Sequence, residues 1–213
     1  GLGYDQALQQ AQKLGYAEAN PSTDVDGIDT WHKLILSSNI AFGVSLDKNT
    51  VPAAGIRNIS AADVECFRAK GKVCKLIATG RRTEQGVSAY VQPTLVDAAS
   101  PEGAVPLNYN LITFLGEISQ RMSFYGQGAG RYPTAYNVVQ DLTDVLAGKG
   151  FYAPYGKPQA ADNQQPLRYY IRGDWDGPVE ETWGPGILTA PTPVTQIHTW
   201  LQSHPTAFLA AVE

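Results

Sequence analysis

Residues 73–96, VCKLIATGRRTEQGVSAYVQPTLV, decide the fold. Two runs, 73–82 and 87–96, are rich in Val, Ile, Ala, Tyr and Thr and follow a period of two. Between them Thr83-Glu84-Gln85-Gly86 has hairpin length and composition. Two further strands are expected at 109–115 and 119–125, separated by Gly116-Glu117. A helix carrying Val138, Val139, Leu142 and Val145 follows Pro133. Upstream, Ser60-Ala61-Ala62-Asp63 has the spacing of a capping box, and a short helix to Gly71 fits behind it. Tyr4, Ala7, Leu8, Ala11 and Leu14 recur at helical spacing before Gly15. A second helix is expected from Asp29 to Gly43. Its apolar residues Trp31, Leu34, Ile35, Leu36 and Ile40 fall on more than one face, which predicts a largely buried element. The pattern predicts an α+β fold with a mostly antiparallel or mixed sheet. Helices are expected on one face, with the other face free to pack on a second copy in a homodimer.

The segment 149–165 is rich in Gly, Pro, Ala, Gln and Tyr and lacks periodicity, so it reads as a linker. It divides a domain over 1–148 from a small module over 166–213. In that module 167–172 reads as a strand, 174–185 as a loop, 187–195 as extended, 196–204 as a short helix and 208–212 as a last extended run.

Composition narrows the function. Hydrophobic residues make up 43% and charged residues 17% of 213 residues, as in an ordinary globular protein. The apolar stretch after Lys33 is broken by Ser37, Ser38, Asn39 and Gly43 before it could cross a bilayer, so no membrane span is expected. The start has neither the basic nor the apolar region of a secretion signal, and the expected compartment is the cytoplasm. Sixteen basic against twenty acidic residues give a net charge of −4, and no basic run exceeds Arg81-Arg82, so nucleic acid is not an expected partner. Cys66 and Cys74 form no CxxC pair and have no histidine nearby in sequence, so they read as two buried thiols and no metal site is expected.

The chemistry concentrates in residues 15–34, GYAEANPSTDVDGIDTWHKL. Asp29 and Lys33 stand four apart, one turn of helix on one face, and the preceding loop could bring Glu18 back to them. On a buried helix, desolvation would lower the pKa of Lys33 while neighbouring carboxylates raise it, giving a lysine able to trade a proton. The same spacing is a common stabilising pair on a solvated helix, and on spacing alone that reading comes first. Asp29 could equally be an N-cap and Glu18 a loop carboxylate. His32 points about 100° away from Lys33 and reads as a packing or surface residue.

This run closely resembles the homoserine dehydrogenase signature, in which Gly-Tyr-x-Glu leads through a Pro-containing loop to Gly-x-Asp and a lysine four places on. Asn20 stands where the family often has aspartate, and Trp31-His32 replace simpler residues. The resemblance implies that Tyr16, Glu18 and Asp29 bind substrate, Glu18 at its amino group and Asp29 near the reacting oxygen. It makes Lys33 the proton donor or acceptor, with Asp29 as its catalytic companion, and sets Gly15 against the nicotinamide cofactor.

Residues 126–135, GQGAGRYPTA, lack the last glycine of a dinucleotide fingerprint and fall too late to open a Rossmann unit; a strand-to-helix turn would use the same glycines. They resemble the family's GxGAGxxPTA segment, which implies that Gly130 lies close to the nicotinamide end of NAD(P). Residues 71–76 and 91–95 are also similar to the family, so that the likeness covers about residues 1 to 148. Residues 167–172, LRYYIR, resemble the first strand of the ACT modules that often close these enzymes, making the last segment ACT-like or truncated. The nucleotide-binding βαβ unit with which the family begins does not precede Gly1. The chain is therefore expected to start partway through its catalytic domain, to be inactive alone, and to rely on an absent N-terminal domain for most of NAD(P) binding. The implied reaction interconverts L-homoserine and L-aspartate 4-semialdehyde. The alternative from another class is a non-catalytic dimerisation or amino-acid-sensing module.

Overall fold

The computed structural model describes residues 4–13, 20–150 and 156–213. They fall into two compact units: Gly1–Asn20 with Ala99–Tyr152, and Pro21–Ala98 with Ala153–Glu213.

The larger unit is built on the hairpin of β1 (Lys72–Arg82) and β2 (Val87–Asp97), paired antiparallel along their whole length from Lys72↔Asp97 to Arg82↔Val87. Thr83 N–H donates to Gly86 O at 2.9 Å and closes the turn as its composition predicts. The other strands are β5 (Pro166–Arg172), β6 (Val179–Trp183), β7 (Gly186–Thr189), β8 (Thr192–Pro193) and β9 (Phe208–Val212). They extend the hairpin into one sheet of order β1-β2-β9-β5-β7-β6, with β8 beside β5. The β2–β9 pairing is parallel and the other pairings are antiparallel, so the sheet is mixed. Strands after residue 165 thus share a sheet with β1 and β2. The segment expected to be a linker is bonded to the larger unit from Gln159 onward: Gln159 N–H donates to Ser45 O beyond α3, and Asp162 N–H to Val87 O and the buried Asn163 side chain to Ala89 O of β2.

Helices lie on both faces of the sheet, which corrects the one-face expectation. On one face α4 (Ala61–Ala69) packs Phe67 against Leu95, Tyr170, Phe208 and Ala210. On that same face α3 (Ile28–Phe42) sets Leu34 against Val87, Ala89 and Val91. Alternate residues of the same strands, Tyr169, Ile171, Leu209 and Ala211, point the other way and meet Ile197 and Trp200 of α6 (Val194–Ser203). Both faces of this sheet therefore carry helices among the described residues.

Asp63, the third residue of α4, completes the predicted capping box with Ser60 and is fully buried. Its carboxylate also accepts from Tyr170 Oη at 2.5 Å and Arg172 Nε at 3.0 Å, tying the helix start to β5. Burial opposes the charge, yet hydrogen bonds from Arg172, Tyr170 and Ser60 hold the carboxyl below its ordinary value.

The smaller unit contains α1 (Tyr4–Lys13), the separate hairpin of β3 (Tyr109–Gly116) and β4 (Gln120–Gln127), and α5 (Arg131–Leu146). The register pairs Ile112 with Phe124 and Phe114 with Met122, which puts the four side chains on one exposed hairpin face. Val138, Leu142 and Val145 of α5 are exposed as well.

Candidate active site

A one-turn helix, α2 (Ser22–Val25), leads to Gly27, whose φ of +77° sets the left-handed bend from which α3 departs. A glycine belongs there because side chains rarely adopt that conformation. Trp31 Nε1 donates to Val51 O at 2.8 Å and fixes the first turns of α3. The helix ends at Gly43, also left-handed, whose N–H reaches Asn39 O.

Asp29 sits in the first turn of α3 and Lys33 one turn later, and Lys33 Nζ donates to Asp29 Oδ2 at 2.6 Å. The spacing-based pairing is present. The expected burial is not: the Lys33 and Asp29 side chains are 63% and 43% exposed, and Leu36 and Ile40 also face outward. The helix buries one face, with Leu34 and Ser38 against the sheet, and leaves the Asp29–Lys33 side open. Lys33 therefore presents an aimed, hydrated ammonium rather than a desolvated one.

Gly15, Tyr16 and Glu18 lie outside the described residues. Gly130 is the N-cap of α5, with φ +123° and ψ 154°, in the turn from β4 to α5 that the glycines predict. No side chain caps that helix start, and a Cβ added at Gly130 would stand 3.7 Å from Pro133 Cδ, whereas one at Gly128 would meet the Asn110 side chain. Uncapped N–H groups at a helix start suit an anionic group.

Burial pushes the Cys74 thiol up to about 12, with the Asp63 charge adding to it, so Cys74 carries no thiolate at neutral pH and is no nucleophile. Among the described residues no group of three or more His, Cys, Asp and Glu could hold a metal ion, and no helix is long and apolar enough to cross a membrane. A cavity of about 160 Å³ lies between Gly55, Arg57, Asn58 and Pro205, and neither Asp29 nor Lys33 lines it.

Reading the sequence missed Arg57. Its Nε and Nη2 grip Asp26 Oδ1 and Oδ2, each at 2.8 Å, three residues before Asp29. Partners 31 residues apart leave no local signal in the sequence.

The described residues thus form an α+β fold with a solvent-open carboxylate–lysine pair in the first turns of α3. The family described as homoserine dehydrogenase matches residues 1–143, and the chain belongs to that family. Homoserine dehydrogenase of Lactococcus lactis is 36% identical over 177 residues, covering 79% of this chain and 41% of that protein. The NAD(+)-dependent homoserine dehydrogenase of Pseudomonas canavaninivorans is 35% identical over 146 residues, covering 68% of this chain and 42% of that protein. Among solved structures, a homoserine dehydrogenase from Thiobacillus denitrificans superposes with a TM-score of 0.75 at 27% identity, over 100% of this chain and 59% of that one. The chain thus spans about two fifths of the length of these curated relatives.

Proposed function

We propose that this chain is the substrate-binding and proton-transferring part of an NAD(P)-dependent oxidoreductase interconverting L-homoserine and L-aspartate 4-semialdehyde, a step of threonine, methionine and isoleucine synthesis. The observation that carries the reading is the solvent-open Lys33–Asp29 ion pair of 2.6 Å in a chain of this family. When bound, the nicotinamide cofactor supplies or takes the hydride. In the reducing direction Lys33 Nζ gives its proton to the aldehyde oxygen as that oxygen gains charge. In the oxidising direction the same nitrogen takes the hydroxyl proton. Asp29 aims the ammonium. Glu18 holds the amino end of the substrate and Tyr16 adds to substrate binding, a contribution of orientation more than of chemistry. Gly15 and Gly130 meet the nicotinamide end of the cofactor, and a nucleotide-binding domain supplies most of its binding. A small-molecule substrate, a homodimer and a cytoplasmic setting complete the reading.

The test is calorimetric titration with L-homoserine of this chain and of an enzyme that also carries the nucleotide-binding domain, with dehydrogenase activity followed in parallel. The expected result is binding and turnover by the longer protein alone. A longer protein that neither binds nor oxidises homoserine overturns the proposal.

A further inference from the structure

The loop that leads into α3 is held from outside by one short segment, and the bonds form a continuous path from the sheet to Asp29. Ala54 N–H donates to Val91 O at 2.8 Å and Val91 N–H to Pro52 O at 3.0 Å, which fixes residues 52–54 to β2. From there Ile56 N–H donates to Val25 O at 2.8 Å. Gly55 lies flat against the loop: an added Cβ would fall 2.2 Å from Val25 O and 2.5 Å from Asp26 Cα. Arg57 closes the path. Its guanidinium holds both oxygens of Asp26 at 2.8 Å, and its Nη2 also donates to Ser22 Oγ at 3.2 Å, so one side chain spans both ends of the turn. Two parallel N–H···O bonds fix the direction of a carboxylate as well as its distance. The next residue, Gly27, is the N-cap of α3, and Asp29 follows two positions later.

From this we infer that Arg57 is a positioning residue for the Asp29–Lys33 site: it clamps the 22–26 turn through Ser22 and Asp26 and so sets where the first turn of α3 presents Asp29. The inference rests on the function proposed above for that pair. The guanidinium is half exposed, and its bonds to Ser22 and Asp26 bear on Asp29 through the backbone that links them.

The test combines two measurements. Amide hydrogen exchange on this 213-residue chain compares the parent with Arg57→Ala and Arg57→Lys. The expected result in Arg57→Ala is exchange about tenfold faster at residues 24–31, with β2 unchanged, because the clamp restrains local opening. Arg57→Lys, which keeps the charge and loses the fork, should restore little of the protection. In an enzyme carrying the nucleotide-binding domain, Arg57→Ala should lower kcat/KM for homoserine about ten- to a hundredfold, as expected for a misplaced reacting group, and leave the cofactor KM unchanged. Asp26→Asn should reproduce that loss, and the double variant should add little to it. Unchanged exchange at 24–31, full rescue by lysine, or parental kcat/KM in Arg57→Ala each overturn the inference. A parent enzyme without homoserine activity overturns the proposed function instead, and the exchange result still decides the clamp.

Discussion

Lys33 Nζ donates to Asp29 Oδ2 at 2.6 Å across one turn of α3, with both side chains open to solvent. An exposed pair of this kind contributes about 0 to 1 kcal/mol to stability, so a purely structural role leaves little to lose. A proton-transfer role is worth about a hundred- to ten-thousandfold in rate. Lys33→Ala in the complete enzyme should therefore lower turnover by that factor, with cofactor binding kept and the melting temperature shifted slightly. Steady-state kinetics beside a melting curve separate the two roles. Parental turnover in the variant would remove Lys33 from the chemistry.

Asp63 couples the start of α4 to β5. Because its folded pKa is below the ordinary 3.8, the stability it contributes is fully present above that value and is lost as pH falls through the depressed one. Asp63→Ala leaves Arg172 and Tyr170 without their carboxylate in a buried place, at a cost of about 3 to 5 kcal/mol. Urea unfolding at neutral pH measures it. A cost below about 1 kcal/mol would mean that water replaces the carboxylate there.

The elements that alternate or repeat cleanly were legible in the sequence, and those held by distant partners were not. The β1–β2 hairpin declares itself through its period and its Thr83–Gly86 turn. By contrast, β6 carries Glu180 and Glu181 at the outer edge of the sheet, where the strand is exposed except at Trp183, so it shows no apolar alternation. Leu36 and Ile40 look like core and are solvent-facing, which made α3 read as buried and Lys33 as desolvated. The Asp29–Lys33 pair follows from spacing. The ties from Arg57 to Asp26 and from Arg172 to Asp63 join residues 31 and 109 positions apart, a relation that composition and periodicity do not encode.

His198 of α6 is buried with Nε2 3.0 Å from Gln92 Oε1, so its neutral ring donates from Nε2. Burial lowers its pKa from 6.5 to about 4. Between those values the unfolded chain takes up the proton first. Stability from this residue is thus complete above pH 6.5 and declines as pH falls toward about 4, by about 3 kcal/mol in all. His198→Gln should flatten the stability profile from pH 6.5 to 4.5, a window above the one that Asp63 controls. Chemical unfolding across that range reads the difference directly, and an equal slope in parent and variant would show that other groups set it.

Asn163 acts as a substitute strand beside β2. Its Oδ1 accepts from Ala89 N at 3.0 Å and from Ser88 Oγ at 2.9 Å, while Nδ2 donates to Ala89 O at 3.0 Å. The side chain therefore meets both backbone groups of one buried residue, which needs a donor and an acceptor on the same planar amide. Asn163→Ala strands a buried N–H and C=O, each costing about 1 to 3 kcal/mol. Asn163→Asp keeps the acceptor and turns the donor into a second acceptor facing Ala89 O, so its loss should be the larger at neutral pH. The aspartate variant should also recover stability in acid as the carboxyl gains a proton and can donate, opposite in sign to the response of Asp63. Unfolding of both variants at two pH values decides it: an aspartate variant as stable as the parent at neutral pH would show that water serves Ala89 O in place of the amide.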